Sequence, residues 1–336
     1  MRITTSLAAV VAALALAAPA GAPATKIVVP AGYRVSTYAT GLEHPTAMAW
    51  GPDGRLYVTE DTGLLVVARK GSTKPSVVAR GLLVPLGLAW HGRTLYVSEQ
   101  GRLARYTLRA SKLSGGKVIV RKLPFGEHQQ DNVVVGPDGR LYLGSGSTCD
   151  ACRERNPRSA TILSMKPDGT DVRIVARGLR NPYGLAFEPG TNKLFASVNG
   201  QDKLGTKKKP EPAESVVLVK QSAFYGWPRC WPSYARKALA GRCRGVTPPA
   251  AYLEPHSSAD GLAFWRGDLF VALWGQYLSD EHGRKLVRVH LGPPKRVTTF
   301  ARGFDHPLAL VVDPKGGLLV ADWGRGVIYR IQSAGG

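Results

Sequence analysis

One short pattern recurs six times along this chain of 336 residues: a turn followed by a short apolar strand. The copies are GPDGRLYVTE (51–60), HGRTLYVSEQ (91–100), GPDGRLYLGS (136–145), EPGTNKLFAS (188–197), WRGDLFVALW (265–274) and DPKGGLLVAD (313–322). Their central leucines are Leu56, Leu95, Leu141, Leu194, Leu269 and Leu318, at steps of 39, 46, 53, 75 and 49 residues. Just before each copy lies a second apolar strand: PTAMAW, PLGLAW, DNVVVG, PYGLAF, ADGLAF or PLALVV. Asp-Gly, or another glycine-containing turn, joins the two strands as a hairpin signal. Two further strands fit between copies, such as LLVVARK and SVVARGL in the first. Four strands in each of six units, at periods of about 40–50 residues, define an all-β six-bladed β-propeller with four-stranded blades.

Three segments lie outside the regular period. Residues 1–24 read as a signal peptide: Arg2 supplies charge, Leu7 to Ala18 form an apolar core too short to span a bilayer, and Ala-x-Ala sites follow. The remainder, 25–336, is expected to form a single propeller domain that is secreted, periplasmic or attached to the cell surface. Lys26 to Ala39 is expected to give an outer strand to the last blade and close the ring. The long step between the fourth and fifth copies reads as an insertion near 203–251, carrying Lys207-Lys208-Lys209 and two cysteines.

Export changes the meaning of the four cysteines. In an oxidising compartment an even count implies disulfides, Cys230 with Cys243 and Cys149 with Cys152. A zinc site or a redox C-x-x-C is the alternative, although only one C-x-x-C pair is present.

Loops leading into the inner strands of a propeller ring one mouth of its central channel. Here those loops carry Glu43-His44, Leu83-Val84, Glu127-His128-Gln129, Leu179-Arg180-Asn181, Pro255-His256-Ser257 and Asp305-His306. Four of the chain's 7 histidines therefore converge on that mouth. His-Pro and Asn-Pro are also good turn formers, which is the purely structural reading of His44 and His306.

Charge narrows the partners. Lys+Arg 45 against Asp+Glu 24 gives +21, which favours anionic ligands or an anionic cell surface. No nucleic-acid-binding motif accompanies the charge, so no nucleic-acid partner is expected. Glycine-rich phosphate loops, G-x-S-x-G elbows and H-E-x-x-H helices are absent, which leaves nucleotide, serine-hydrolase and zincin chemistry without support.

FGEHQQDNVVVGPDGRLYLGSGS, GLRNPYGLAFEPGTNKLFASVNG and ESVVLVKQSAFYGWP resemble the quinone-dependent soluble aldose dehydrogenases of the glucose/sorbosone dehydrogenase family. The resemblance covers nearly all of the mature chain, and the cysteine-bearing loop after GSGS is similar to the sorbosone-type branch. It implies a six-bladed propeller that binds pyrroloquinoline quinone (PQQ) and Ca2+ and oxidises a small-molecule sugar or aldehyde, with an external electron acceptor. On this resemblance His128 is the general base, and an imidazole with an ordinary pKa of about 6.5 suits that task. Arg180 and Asn181 match the quinone-contacting pair, with Gln129 and Lys285 as further cofactor contacts and Arg284 as the alternative to Lys285. Gly200 and Gln201 match carbonyl ligands of a cofactor-bridging calcium, beside Asn199 and the spare carboxylate Asp202. The Glu214 carboxylate and the Tyr225 carbonyl match a second calcium site. The chain departs from the family where Gly303-Phe304-Asp305-His306-Pro307 has no arginine, and where GLLVPLGLAW lacks a glutamine. Two other classes compete: a non-catalytic propeller that binds an acidic glycan or protein, and a calcium-dependent lactonase-type hydrolase. The latter needs several carboxylates around one channel metal, and the lead-in loops supply only Glu43, Glu127, Asp305 and Glu254.

Overall fold

The computed structural model describes residues 26–110, 112–206, 208–276 and 281–335, so the signal-peptide reading of 1–24 lies outside the described residues. Among the described residues there is no helix, and the strands build six blades. Inner strands are Pro45–Trp50, Gly87–His91, Gln130–Val135, Leu185–Phe187, Ala259–Trp265 and Pro307–Val312. Each opens a four-stranded antiparallel ladder, and a short parallel strand, Ala223–Phe224, is added to the third.

The six aligned leucines stand at the first or second position of the second strand of each blade. Each pairs with an inner-strand residue: Trp50 with Leu56, Trp90 with Leu95, Val135 with Leu141, Phe187 with Leu194, Phe264 with Leu269 and Val312 with Leu318. Each leucine also lies in a different one of the six inter-blade cores. Leu141, for example, packs with Leu103 and Val120 of blade 2 and with Leu143 and Leu163 of its own blade. The repeat is thus a repeat of packing: one fully or nearly fully buried leucine per interface, worth roughly 1.5–3 kcal/mol of apolar burial each.

The ring closes through the N-terminal strand. Tyr33–Ala39 pairs antiparallel with Val327–Ser333, as in Val35 opposite Ile331, and becomes the fourth strand of blade 6. Val28 makes a further bridge to Arg302 on the outer strand of blade 5. Both expected disulfides are present, Cys149–Cys152 and Cys230–Cys243, and among the described residues no cysteine is free.

The single insertion expected over 203–251 is instead two. Glu214–Leu218, inside that range, is the third strand of blade 4, paired with Leu194–Val198 on one side and Ala251–Leu253 on the other. Its apolar run SVVL fills the cores on both sides of the blade. The extra chain therefore forms one hairpin before this strand, Gly205–Thr206 with Lys209–Pro210, and another after it, Cys230–Ser233 with Ala238–Gly241.

Leu141→Ala is expected to lower unfolding free energy by about 2–5 kcal/mol, the range for emptying a tight leucine site. Urea unfolding followed by tryptophan fluorescence measures it. A loss no larger than that of a surface substitution would show that the leucine register does not hold the blades together.

Candidate active site

Antiparallel pairing puts the loops between second and third strands at the same mouth as the lead-in loops. The two sets are tied by buried acids. Glu60 accepts the Glu43 N–H at 3.0 Å, Glu99 accepts the Leu83 N–H at 2.7 Å, and Asp322 accepts both the Asp305 and His306 N–H groups at 2.9 and 2.8 Å. These carboxylates are at most 3% exposed, so they belong to the scaffold. His44, Val84 and His256, in three of the loops, have φ of 51°, 40° and 53°, a conformation costly for residues with a Cβ and most of all for valine.

His128 sits in the blade 3 loop with its Nδ1 3.1 Å from the Ser147 carbonyl and 3.0 Å from Ser147 Oγ. The Ser147 hydroxyl donates to the Cys149 carbonyl at 2.6 Å, so its oxygen is left to accept. Both neighbours of Nδ1 are then acceptors, which assigns the ring proton to Nδ1 and leaves Nε2 as a bare lone pair. Burial, reinforced by the positive field of Arg180, pushes the His128 pKa down to about 4. Gly146 makes the position possible: a Cβ there would lie 2.4 Å from His128 Cβ and 2.6 Å from Asn181 Oδ1.

Arg180 is 3% exposed and is gripped by two carboxylates. Its Nη2 lies 3.0 Å from Asp150 Oδ1 and 2.5 Å from Asp202 Oδ2, and its Nε donates to the Asp150 carbonyl at 3.2 Å. Asp150 lies inside the ring closed by Cys149 and Cys152, where its carbonyl also accepts Trp227 Nε1 at 2.9 Å and its carboxylate accepts the Asp202 N–H at 2.7 Å. Asp202, expected as a spare carboxylate, is therefore the partner of Arg180, and its side chain is 71% exposed.

The other expected site residues divide into two groups. Asn181, Asn199, Gly200 and Gln201 lie beside Arg180, with the Asn181 N–H/C=O edge bridged to Asn199. Gln129 is buried and donates to the Val84 carbonyl at 2.7 Å, which locks its loop to blade 2. Glu214 is buried, accepts the Gly200 N–H at 2.7 Å and is pushed up to about 7 by burial. Tyr225 packs with Val217, one face of that strand, and its hydroxyl donates to the Leu218 carbonyl at 2.5 Å. Glu214 has the parity of Val216, on the opposite face of the strand from Val217. Lys285 is in an ion pair with Glu254 at 2.7 Å. The blade 5 cation at the mouth is Arg284, 3.5 Å from both His306 Nε2 and Asp305 Oδ1.

Below the mouth, six equivalent inner positions face one another in register: Thr46, Leu86, Asp131, Tyr183, Asp260 and Leu308. Burial raises the Asp131 and Asp260 carboxyls well above the ordinary range, and each also feels a neighbouring carboxyl. Asn199 Nδ2 donates to Asp260 at 3.1 Å, so the channel is coupled to the mouth through a residue next to Gly200.

Among the described residues, a buried guanidinium, a histidine whose Nε2 makes no hydrogen bond and two unpartnered amide oxygens thus lie at one mouth of the propeller. The glucose/sorbosone dehydrogenase family pattern matches residues 42–330, and the chain belongs to that family. It is 22% identical over 304 residues to the aldose sugar dehydrogenase YliI of Escherichia coli, covering 74% of this chain and 77% of that one. The fold matches the PQQ domain of a Coprinopsis cinerea pyranose dehydrogenase in its holo form, with a TM-score of 0.79 at 18% identity, over 92% of this chain and 98% of that one. It also matches a PQQ-bound aldose sugar dehydrogenase from Streptomyces coelicolor, with a TM-score of 0.72 at 21% identity, over 91% and 100%.

Three site features escaped the sequence reading: the grip of Asp150 on Arg180, the seat of Nδ1 on Ser147, and Arg284 as the cation beside His306. The signal for the first was present, an acid enclosed by two cysteines. The other two depend on contacts between segments that no spacing encodes.

A base whose pKa is depressed in the fold is available at lower pH than a free imidazole. If His128 accepts the substrate proton, the acid limb of the kcat/KM profile is expected near pH 4, not near the unshifted 6.5. Steady-state rates between pH 3.5 and 8 on protein that stays folded check this. A limb near pH 6.5 would assign the base elsewhere, with His256 next in line.

Proposed function

We propose that this protein is an exported, PQQ-dependent dehydrogenase that oxidises a small sugar or aldehyde, with His128 as general base. The observation that carries the reading is His128 itself: a Nδ1 proton held by Ser147, a bare Nε2, and a buried cation, Arg180, whose field reaches the ring. Secretion rests on the N-terminal segment and on two disulfides.

The residues present fit a planar, polycarboxylate quinone with a calcium ion. Asn181 Oδ1 and Asn199 Oδ1 are buried without a hydrogen-bond partner, so two hard oxygen donors lie beside the Gly200 and Gln201 backbone. Such oxygens suit calcium. Arg180 offers a fixed fork for a ligand carboxylate or quinone oxygen, and its exposed partner Asp202 can be displaced to solvent. Arg284 puts a guanidinium beside the blade 6 loop that has no arginine of its own. When bound, PQQ accepts two electrons as a hydride, with Ca2+ withdrawing charge from the accepting carbonyl.

The chain's own part is positioning and proton transfer. His128 Nε2 removes the proton of the substrate hydroxyl while the hydrogen on the same carbon leaves as hydride. The substrate loses H+ and H−, so an alcohol or hemiacetal carbon becomes a carbonyl or lactone. The His128 imidazolium is stabilised at Nδ1 by the Ser147 carbonyl and returns its proton to water. Arg180 holds the ligand that receives the hydride, and Asp150 holds Arg180.

Calorimetric titration with PQQ is expected to show binding in calcium, lost in EDTA, with a matching rise in thermal stability by mass action. Arg180→Ala is expected to weaken binding by about 1.5–3 kcal/mol, the value of a hydrogen bond to a charged group. In His128→Gln, turnover of an aldose panel with a dye acceptor should fall about a hundredfold to ten-thousandfold while PQQ affinity changes little. Absence of PQQ binding at high micromolar concentration would leave the glycan- or protein-binding propeller as the better reading.

A further inference from the structure

The mouth does not account for the charge of this chain, and one surface concentrates it. From Arg102 to Lys122 there are seven cations, Arg102, Arg105, Arg109, Lys112, Lys117, Arg121 and Lys122, and no Asp or Glu. This segment forms the third and outer strands of blade 2, Arg102–Arg109 and Lys112–Val120. Arg102 is paired with Glu99 at 2.5 Å. Among the described residues the other six form no ion pair.

The pairing register puts like charges directly opposite each other: Arg105 faces Lys117, and Arg109 faces Lys112. Such cross-strand pairs are destabilising. Side chains two apart share a face, so these four cations lie on one side of the ribbon, with Thr107 and Ser114 between them. That side is the one on which Leu103 enters the core shared with blade 3. The carboxylate of blade 3 that acts here is Asp168, which with Arg105 influences the Tyr96 hydroxyl. The remaining charges are exposed: Arg109, Lys112, Lys117, Arg121 and Lys122. Cations on an outer strand also discourage edge-to-edge pairing. Protection of an edge does not require like charges in direct register, and the Gly115-Gly116 bulge, with φ of 108° and 57°, already breaks this edge.

We propose that this ribbon is a docking surface for a linear acidic polysaccharide, one that tethers the protein where such a polymer is abundant. Each strand carries two of these cations, and Arg105 and Arg109 stand about 14 Å apart along theirs. A chain-like polyanion laid along the ribbon would neutralise both pairs and relieve the repulsion across them. Among the described residues the exposed large apolar side chains are Val28, Val77, Leu83, Val84, Phe125, Phe224, Tyr234 and Val297. None lies in this hairpin, so nothing here would insert into a membrane. The one aromatic ring in it, Tyr106, packs in the core against blade 1 and leaves no stacking platform for nucleobases.

The test compares binding of polygalacturonate fragments to the full-length protein and to two charge-reversal triples with the same change in net charge. One is Arg109→Glu/Lys112→Glu/Lys117→Glu on this ribbon, and the other is Lys295→Glu/Arg296→Glu/Arg302→Glu on the outer strand of blade 5, Arg296–Arg302, and the residue before it. The ribbon triple is expected to lose at least tenfold in affinity, the blade 5 triple less than threefold. Wild-type affinity should fall about tenfold from 0.05 to 0.2 M salt, because contacts between exposed charges are screened over a Debye length of about 10 Å at 0.1 M. Single Arg109→Glu should raise the melting temperature, since it turns a like-charge pair into an opposite one. If the ribbon triple does not fold, Lys112→Gln/Lys117→Gln replaces it. Equal losses in both triples would mean net charge alone and overturn the proposal. So would tighter binding, lost in the ribbon triple, to phosphatidylglycerol vesicles or to a single-stranded oligonucleotide.

Discussion

The fold depends on one pairing, that of Tyr33–Ala39 with Val327–Ser333. Five blades take all four strands from consecutive chain, but blade 6 supplies only three of its own. Without the N-terminal strand, the backbone of Val327–Ser333 would present an open edge. The cores on either side of blade 6 would also lose Tyr38, Ala39 and the cover of Tyr33 and Val35. Closure reaches the mouth as well. It brings the blade 1 loop against blade 6, where His44 stacks on Trp323 at 4.0 Å and Asp61 accepts Trp323 Nε1 at 2.8 Å. The ring that protects the sheet edges is the ring that assembles the site.

Acids at this mouth mostly serve the scaffold. Glu60, Glu99 and Asp322 end the second strands of blades 1, 2 and 6 and accept lead-in N–H groups. A buried acceptor is costly to leave unpaired, and so is a buried donor, so each satisfies the other. Glu254 is taken by Lys285, and Asp305 lies against Arg284 and His306. Few carboxylates are therefore left to share one channel metal in the manner of a lactonase. What converges without a partner is amide oxygen, on Asn181 and Asn199.

Much of this was legible in the chain. The leucine period gave six blades because packing demands the same residue at each interface. The lead-in loops could be named because two-residue periodicity marks where each inner strand begins. Less legible was the third strand of blade 4, since its SVVL run is flanked by polar, proline-rich chain that reads as loop. Arg284 and Lys285 could not be told apart by spacing: Lys285 opens the third strand of blade 5 and pairs with Glu254, whereas Arg284, one residue earlier with φ of 52°, lies beside His306 and Asp305. Asp150 was marked only by the two cysteines around it, because its importance comes from the position of Arg180, which follows it by 30 residues and belongs to the next blade.

The two carboxylates on Arg180 are not equivalent, and the difference bears on how an anion could enter. Asp150 is 11% exposed at its side chain, and its backbone is fixed by the Cys149–Cys152 ring and by Trp227. Removing it would leave a buried guanidinium short of charge, a change that is strongly destabilising in buried pairs. Asp202 is 71% exposed, so water can solvate its carboxylate when it leaves Arg180. A ligand carboxylate would therefore replace Asp202 at small cost and leave Asp150 in place. The disulfide ring keeps the cation oriented, and the exposed acid pairs with it until an anion arrives. Arg180 can then be both a buried structural charge and a binding group, two roles that usually exclude each other.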